Sequence, residues 1–272
     1  MLKPQGGVAQ PLVSLLTDFG LVDPFVAEMK AVILSICPEV RVVDVSHGVA
    51  AFDIAMGAFL LAEAAPSFPS GTVHVAVVDP GVGGDRRPIV VETKRSTYVG
   101  PDNGLLIPAA TMEGILRVFQ ITNQSMIGRE ISSTFHGRDL FAPVAARIAC
   151  GHRPEECGPS ISDYLPSPFQ EPVIDGKRAT CEILHVDRFG NLATSLTQAH
   201  LKQLHMEIGQ KIILSTGRRR IRARIVRTFS DLHGNEAGLM LGSHGFLEVA
   251  CRESNAAKRL NIRRGRVVHV SG

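Results

Sequence analysis

The sequence predicts an α/β N-terminal domain with a largely parallel sheet and flanking helices, followed by a smaller all-β, barrel-like C-terminal domain. In the first half, strand-like apolar runs alternate with stretches of helical periodicity, which is typical of βαβ units. After five prolines between positions 151 and 176, short strand-like runs prevail and helical periodicity is mostly lost. We therefore place the α/β domain at 10–160, a Pro-rich connection at 161–178 and the barrel-like domain at 179–272.

Apolar spacing and helix end signals define the elements of the first domain. Strands are expected at 13–16, 40–45, 73–78, 88–92, 97–99 and 116–121. Helices are expected at 24–36, 53–65 and 140–150. Asp23 is the predicted cap of the first helix, with Pro24 at its first position. The segment 151–176 has little periodicity, so we expect packing rather than its own hydrogen bonds to order it.

In the second domain, one helix is expected at 198–204 and short strands at 181–186, 211–215, 219–227, 237–241, 246–249 and 266–270. Arginines at even positions from 218 to 224 alternate with mostly aliphatic residues, which places the two kinds of side chain on opposite faces of a strand. The solvated outer face of a barrel explains this pattern. Nucleic-acid binding is not expected, because the chain has no Trp and two Tyr to stack on bases.

Composition describes an ordinary globular protein, with 44% hydrophobic and 20% charged residues among 272. The formal net charge of +3 is too small to indicate a nucleic-acid partner. The five cysteines are odd in number and include no C-x-x-C pair, which predicts reduced thiols rather than a disulfide framework or a zinc site. Residues 1–11 lack the apolar core of a signal peptide and no run has membrane-spanning length, so we expect a cytoplasmic protein without a membrane partner.

The most informative segment is 73–92, where an apolar strand delivers Asp79 into a loop of proline and glycines that leads to Arg86 and Arg87. Ligands of open α/β sheets bind at the carboxyl ends of the strands, and glycines allow the backbone to approach a partner closely. A carboxylate with two guanidiniums close behind therefore indicates a site. Taken alone, the segment is equally compatible with a tight hairpin that carries a surface ion pair.

Three other fragments also place candidate site residues in loops. Asp18 and Phe19 follow the first strand, His136 stands in the polar loop S-T-F-H-G-R-D before an apolar helix, and residues 187–191 are D-R-F-G-N. In this order, from about Leu12 to near the C-terminus, the four segments resemble the S-adenosylmethionine hydrolase family, whose members are also called hydroxide adenosyltransferases. That family is related to the enzymes that make fluoro- and chloro-adenosine.

The resemblance implies hydrolysis of S-adenosyl-L-methionine to adenosine and L-methionine, by attack of an activated water or hydroxide at C5′. It implies Asp79, Arg86 and His136 as catalytic residues, with Arg87 as the adjacent alternative to Arg86. A carboxylate can orient a water and accept its proton, an arginine can stabilise hydroxide charge, and a histidine can share the proton or hold the water. The sulfonium already activates C5′ and methionine leaves as a neutral group, so we expect neither a metal nor a cofactor.

The resemblance also implies a set of substrate-binding residues from both domains: Asp18, Phe19, Asp23, Asp187, Phe189, Asn191, Ser243 and Ala257. Asp18 is expected at the ribose hydroxyls, and the two phenylalanines are expected to flank the adenine. Asp187 and Asn191 match the amino-acid end of the substrate. Ser243 and the backbone at Ala257 match the positions that hold the methionine carboxylate and the adenine edge. Asp23 is equally well explained as a helix cap, and no role is predicted for His244.

In the family, the site lies between the first domain of one subunit and the second domain of a neighbour, so the resemblance implies a homotrimer. Three other functions stay open. A metal-dependent hydrolase would gather Asp18, Asp79, His47 and His136 around a divalent ion, although no compact ligand motif supports it and a structural role is the simpler one for His47. The others are a non-catalytic protein that binds S-adenosylmethionine or adenosine, and an adenosyltransferase that uses halide. The hydrolase trio favours water over halide.

Overall fold

The computed structural model describes residues 10–234 and 236–272. The prediction that the N-terminus carries no signal peptide therefore falls, for residues 1–9, outside the described part of the chain. The chain divides into two compact units, the first ending at Pro168 and the second beginning at Phe169. Within the described residues, no helix combines the length and the apolar character needed to cross a membrane.

The first unit is built on a mixed sheet. Its strands are β1 Leu12–Thr17, β2 Arg41–Ser46, β3 Val73–Val77, β4 Pro88–Thr93, β5 Thr97–Pro101 and β6 Ile115–Gln120, in the spatial order β2-β1-β3-β5-β4-β6. β1 is parallel to β2 and β3, and β3 is parallel to β5, whereas β4 is antiparallel to both of its neighbours. The expectation of a largely parallel sheet is therefore wrong. Residues 94–96 alone join β4 to β5, which is too short for the crossover that a parallel pair needs.

The α-helices of the first unit are α1 Phe25–Ile36, α2 Ile54–Ala64, α3 Ile107–Glu113 and α4 Ala142–Ala149, and a π-helical turn, Gly137–Phe141, precedes α4. Asp53 caps α2, because its Oδ1 accepts from the Met56 amide N–H at 2.9 Å. The predicted cap at Asp23 is wrong: α1 begins at Phe25, so its N-cap position falls on Pro24, which has no polar side chain. The helix α3 was not predicted, because seven residues offer little periodicity.

Two buried strands bring the first motifs together. β1 and β3 are buried on nearly every residue, as expected for parallel strands that are covered on both faces. Their register pairs Thr17 with Val77, so Asp18 and Asp79 leave the sheet at the same edge. The core beneath this edge contains apolar side chains from β1, β3, α1, the π-helical turn and α4, among them Leu15, Met29, Val75, Phe141 and Val144.

Cys37 and Cys150 form a disulfide, with their Cα atoms 5.9 Å apart. They follow the last residues of α1 and α4, so the bond joins the C-terminal ends of two helices that pack against each other. The prediction of reduced thiols is wrong for this pair, whereas Cys157, Cys181 and Cys251 are free and buried. The pairing depends on helix packing across a sequence separation of 113, which cysteine spacing does not reveal.

The proline-rich segment 151–176 makes hydrogen bonds with the sheet. The Gln120 amide N–H donates to Pro159 O at 2.9 Å, and the Ile161 amide N–H donates to Val118 O at 2.8 Å. Residues 159–161 thus lie along β6 as a short antiparallel partner. Hydrogen bonds to β6 thus add to packing in ordering 151–176 at this point, because an extended segment beside an open sheet edge completes the hydrogen bonds of that edge.

The second unit is a closed barrel, which confirms the barrel-like expectation. Its strands are β7 Val173–Asp175, β8 Arg178–Val186, β9 Leu192–Thr197, β10 Lys211–Thr216, β11 Arg219–Ile225, β12 Ala237–Leu241, β13 Phe246–Cys251 and β14 Val267–Ser271. Their order is β14-β10-β11-β12-β13-β9-β8-β7. Pairing of β14 with β8 closes the ring, and β7 adds to β8 from outside it. The short helices α5 Gln198–Gln203 and α6 Ala256–Leu260 complete the unit.

Burial alternates along β11, as predicted from its arginines and aliphatic residues on opposite faces. Ala223 and Ile225 are buried, whereas Arg220 and Arg222 are exposed. The strand β9 and the helix α6 were not predicted, because their mixed polar and apolar residues give no clear period.

Candidate active site

A cavity of about 320 Å³ lies at the edge of the first sheet, where β1 and β3 end. Its walls come from the loops after these strands, from the start of α1, from the segment before α2 and from the loop before the π-helical turn. The lining residues are Asp18, Phe19, Phe25, Ala51, Phe52, Val77, Asp79, Val82, Thr134, Phe135, His136 and Gly137. The structure thus places Asp18, Phe19, Asp79 and His136 around one cavity.

Asp79 and Arg86 form a buried ion pair in this region, with side chains that are 5% and 11% exposed. Arg86 Nε donates to Asp79 Oδ1 at 2.8 Å and to Oδ2 at 2.9 Å, and Arg86 Nη2 also donates to Oδ2. The guanidinium lies over the Phe141 ring, 5.2 Å from its centroid. Contact through two nitrogens fixes both the position and the orientation of the carboxylate.

Arg87 has different partners. Its Nη1 donates to Asp163 Oδ1 and its Nη2 donates to Asp102 Oδ2, both at 2.8 Å. Hydrogen bonds to Asp163 and then to Asp102 raise the pKa of Arg87. Of the two adjacent arginines, Arg86 is therefore the one that contacts Asp79.

His136 extends the ion pair into a chain of three side chains. Its Nδ1 lies 2.7 Å from Arg86 Nη2. Because a guanidinium only donates, Nδ1 is the acceptor and the ring proton is on Nε2. Burial, followed by the positive charge of Arg86, lowers the pKa of His136. A neutral imidazole with an Nε2–H donor therefore borders the cavity.

Close backbone packing holds the loops of Asp79 and His136 against each other. Gly83, in the loop after Asp79, has a φ of 76°, and a Cβ at this position would clash with Ser133 O. Glycine tolerates both this conformation and this approach. The glycines that marked the loop in the sequence thus have a packing role beside the ion pair.

An aromatic wall lines the same cavity as Asp18. Phe19 packs edge to face with Phe25 and with Phe135, each at a centroid distance of 5.8 Å. Asp18 Oδ2 accepts from the Phe52 amide N–H at 2.8 Å. This bond supports a φ of 66° at Phe52, which few non-glycine residues adopt, and the Phe52 side chain is exposed.

Phe25, Phe52 and Phe135 were missed by the sequence analysis. Two of them stand beside a polar position that was singled out, since Phe25 follows Asp23-Pro24 and Phe135 precedes His136, and Phe52 directly precedes the helix expected from position 53. A usable signal is therefore an aromatic residue at a loop-to-helix junction beside a polar candidate, because pockets combine apolar walls with a few polar groups.

Asp23 and His47 lie outside this group. Asp23 is exposed and does not line the cavity. The buried His47 has Nδ1 2.8 Å from Thr17 Oγ1 and Nε2 3.1 Å from Asp44 Oδ1, so it braces the turn after β1. Of the four residues of the metal hypothesis, Asp18, Asp79 and His136 line the cavity and His47 does not. No group of three His, Cys, Asp or Glu side chains suited to a metal occurs in the described ranges, 10–234 and 236–272.

In the second unit, Asp187 and Asn191 belong to one tight loop. Asp187 Oδ1 accepts from the amide N–H groups of Phe189 and Asn191 at 2.9 and 2.8 Å, and Oδ2 accepts from Asn191 Nδ2 at 2.8 Å. Gly190 packs against the residue before α6, and its carbonyl accepts from the Ala257 amide N–H at 2.9 Å. The structure therefore brings Asp187, Phe189, Asn191 and Ala257 together.

A second cavity, of about 640 Å³, lies beside this loop. Phe189, which is 77% exposed, and Asn191 line it together with residues 229–230 and 251–255. Ser243 does not line it. Ser243 stands in the turn between β12 and β13, where its Oγ lies 3.1 Å from Nδ1 of the exposed His244.

Glu248, in β13, was also missed by the sequence analysis. Its carboxylate packs against Gly242, which leaves no room for a Cβ there. Burial, followed by the negative charge of Asp187, raises the pKa of Glu248. The negative charge of Asp187 thus acts on Glu248, near the Ser243 turn. An acidic residue in a strand of alternating polar and apolar residues gives no sequence signal that its carboxylate is buried.

Comparison with known proteins gives consistent matches over nearly the whole chain. Residues 13–158 match the model of the SAM hydroxide adenosyltransferase N-terminal domain, and residues 181–269 match that of the C-terminal domain. A protein from Salinispora arenicola named (R)-S-adenosyl-L-methionine hydrolase is 40% identical, over 96% of this chain and 98% of its own. A protein from Actinoplanes sp. named Fluorinase is 26% identical, over 96% and 97%. The crystal structure of an uncharacterized conserved protein from Thermotoga maritima is similar at a TM-score of 0.90 and 32% identity, covering 96% of this chain and 100% of that one.

Proposed function

This chain belongs to the SAM hydroxide adenosyltransferase family and is an S-adenosyl-L-methionine hydrolase, and we propose that Asp79, Arg86 and His136 direct the water that attacks C5′. The products are adenosine and L-methionine. One observation carries the assignment: hydrogen bonds run from Asp79 through Arg86 to His136 at a cavity with an aromatic wall and a second carboxylate.

Hydrogen-bonding capacity separates the three roles. Both oxygens of Asp79 accept from Arg86, but a carboxylate has about four acceptor positions, so Asp79 can also accept a hydrogen bond from water. The Nε2–H of His136 can only donate, so it holds the water oxygen. Arg86 Nη1 is buried and has no hydrogen-bond partner among the described residues, which leaves one more donor for developing negative charge. Asp79 is therefore the proton acceptor.

The reaction balances without further groups. The water oxygen forms a bond to C5′ while the C5′–S bond breaks, and its electron pair goes to sulfur, which becomes the neutral thioether of methionine. The water proton passes to Asp79 and then to solvent. Because the leaving group carries no negative charge, neither an acid nor a Lewis acid has to stabilise it, and we propose no metal and no cofactor. The protein supplies orientation in a site that excludes bulk water.

Substrate-binding roles are proposed from chemistry and family position together. Asp18 has one oxygen engaged by the Phe52 amide, and its remaining acceptor positions suit the ribose hydroxyls. Phe19 and the aromatic wall suit the adenine. Asp187, Asn191 and Ser243 are proposed for the amino-acid end. Because the hydrolase relatives are named for the (R) form of the substrate, we propose the same form here.

We propose a homotrimer as the active assembly and the cytoplasm as its location, with no nucleic-acid or membrane partner. Exposed apolar side chains support the assembly: Leu21, Val22 and Phe52 are 76%, 99% and 72% exposed. Exposed apolar side chains grouped on a surface are typical of an area that a partner covers. Light scattering over a concentration series tests the trimer, and a monomer at concentrations that support full turnover would contradict it.

The test of function uses purified protein and S-adenosyl-L-methionine in ¹⁸O-labelled water, with a chelator and with or without chloride. Mass spectrometry should find ¹⁸O in the 5′-hydroxyl of adenosine, and methionine should form in equal amount. Loss of activity in chelator would favour the metal-dependent hydrolase, and halo-adenosine formed only with chloride would favour halide transfer. Intact substrate that co-elutes with the protein would identify a binding protein and refute hydrolysis.

A further inference from the structure

We propose that Arg138 and Asp139 are positioning residues of this hydrolytic site, which hold Phe135 and His136 in place without contacting the reacting atoms. The proposal rests on the function proposed above. Both residues belong to the S-T-F-H-G-R-D segment, and the chemistry described so far uses neither of them.

Asp139 closes the loop that carries the two site residues. Its Oδ2 accepts from the Ser132 amide N–H at 2.9 Å, and its own amide N–H donates to Phe135 O at 3.2 Å. Its carbonyl O accepts from the Gly128 amide N–H at 2.8 Å, and its side chain is 10% exposed. Because the start and the end of segment 132–139 meet at this one residue, loss of its carboxylate releases the start of the loop.

Arg138 fastens the same loop to α1. Its Nε and Nη2 donate to the two oxygens of Asp139 at 2.6 and 3.0 Å, and its Nη1 donates to Glu28 Oε2, in the first turn of α1, at 2.8 Å. Its guanidinium lies over the Phe135 ring, 5.1 Å from the centroid. One planar cation thus joins two carboxylates and a ring of the cavity wall, a combination that an ammonium group does not reproduce.

The backbone between Arg138 and His136 has little freedom. Gly137 separates the two residues, and a Cβ there would lie 3.1 Å from Met29 Sδ and 3.2 Å from the Phe135 ring. The chain then enters the π-helical turn, a geometry that is frequent at functional sites. A movement of Arg138 would therefore reach His136 through one tightly packed residue.

The contacts of Arg138 and Asp139 indicate a positioning role rather than a role in the chemical step. Within the described residues, the side-chain hydrogen bonds of Arg138 and Asp139 stay in their own loop and at Glu28, and do not reach Asp79. A misplacement of about 1 Å can lower a rate by about 100-fold. Arg138 and Glu28 are 35% and 37% exposed, and ion pairs at such positions contribute little to stability. Asp139, whose side chain is 10% exposed, keeps its bond to the Ser132 amide N–H when Arg138 is removed, so we expect activity to fall more than stability.

The experiment compares Arg138→Ala with a matched control, Arg117→Ala. Arg117 lies on β6, pairs with Glu92 and Glu155 at 2.8 Å each, and has its guanidinium 5.2 Å from the Phe119 centroid. Steady-state kinetics with S-adenosyl-L-methionine should give a kcat about 10- to 100-fold lower for Arg138→Ala, with a smaller change in KM. Arg117→Ala should stay within about twofold of wild type, and Arg138→Lys should recover part of the loss.

A second measurement does not depend on turnover. Long-range ¹H–¹⁵N spectra of the histidines report which ring nitrogen carries the proton. Wild type and Arg117→Ala should show His136 protonated at Nε2 alone, and Arg138→Ala should show a mixture of tautomers.

Two results would overturn the proposal. One is a folded Arg138→Ala protein with the wild-type kcat and the wild-type His136 tautomer. The other is a fall in kcat that matches the fall in melting temperature and is shared by the control, which would make the role purely structural. If wild type itself releases no adenosine, the proposed function fails, and the His136 spectra then decide the positioning role on their own.

Discussion

Stability should depend on pH through His74, at the start of β3. The residue is fully buried, its Nδ1 lies 2.6 Å from Ser14 Oγ, and its ring stacks on Tyr98 at a centroid distance of 4.9 Å. Burial, followed by the charge of Arg95, lowers the pKa of His74 from 6.5 to about 4. The imidazole is therefore neutral in the folded chain at neutral pH.

The sign follows from which state binds the proton first. Because the folded pKa lies below the unfolded value, the unfolded chain takes up the proton first as the pH falls. The free energy of unfolding contains the full His74 contribution above pH 6.5 and loses it as the pH falls from 6.5 to about 4. At about 1.36 kcal/mol for each pH unit, the whole loss is about 3 kcal/mol.

Urea unfolding at about pH 7.5 and about pH 4.5 measures this loss, with His74→Gln as the control because glutamine does not titrate. Carboxylates common to both proteins cancel in the difference. We expect wild type to lose about 2–3 kcal/mol more than the variant between the two conditions. An equal loss in both proteins would refute the reasoning, because His74 would then titrate alike in the folded and unfolded chains.

Three further predictions concern the site and the disulfide. Asp79→Asn should lower kcat by about 100- to 10,000-fold with little change in KM, because the amide cannot take the water proton. Asp163→Asn, which alters an ion pair outside the cavity, is the kinetic control, and a similar loss in both would contradict the assignment. Asp18→Ala should raise KM by about 10-fold, since a ribose contact and the support of the Phe52 amide are both lost; an unchanged KM would remove Asp18 from the site. Cys150→Ser should lower the free energy of unfolding by about 2–5 kcal/mol, because the disulfide spans a separation of 113; urea unfolding without reductant measures it, and equal stability would argue against the bond.

The strand-end motifs were predictable because their geometry is local. β1 and β3 are apolar along most of their length, so their ends could be placed, and parallel strands bring Asp18 and Asp79 to one edge. Which of Arg86 and Arg87 pairs with Asp79 was not predictable from local geometry. It depends on partners such as Asp163, which is remote in the sequence.

The features that escaped prediction depend on distant contacts. The conformation of Phe52 rests on a carboxylate 34 positions away, and the Cys37–Cys150 bond rests on where α1 and α4 end in space. The antiparallel β4 does have a sequence signal, a connection too short for a crossover. That signal is weaker than the alternation of strands and helices around it, which favoured a parallel sheet.

The pairing of residues 159–161 with β6 also affects how this protein avoids unwanted association. An uncovered outer strand offers a row of N–H and C=O groups to any other extended chain. Here residues 159–161 cover that row, because Pro159 O accepts from the Gln120 amide N–H and the Ile161 amide N–H donates to Val118 O. At the opposite edge, β2 carries the charged Arg41 and Asp44, which discourage edge-to-edge addition. Aggregation by strand addition is thus opposed at both margins of the first sheet, at one of them by a segment whose sequence shows little periodicity.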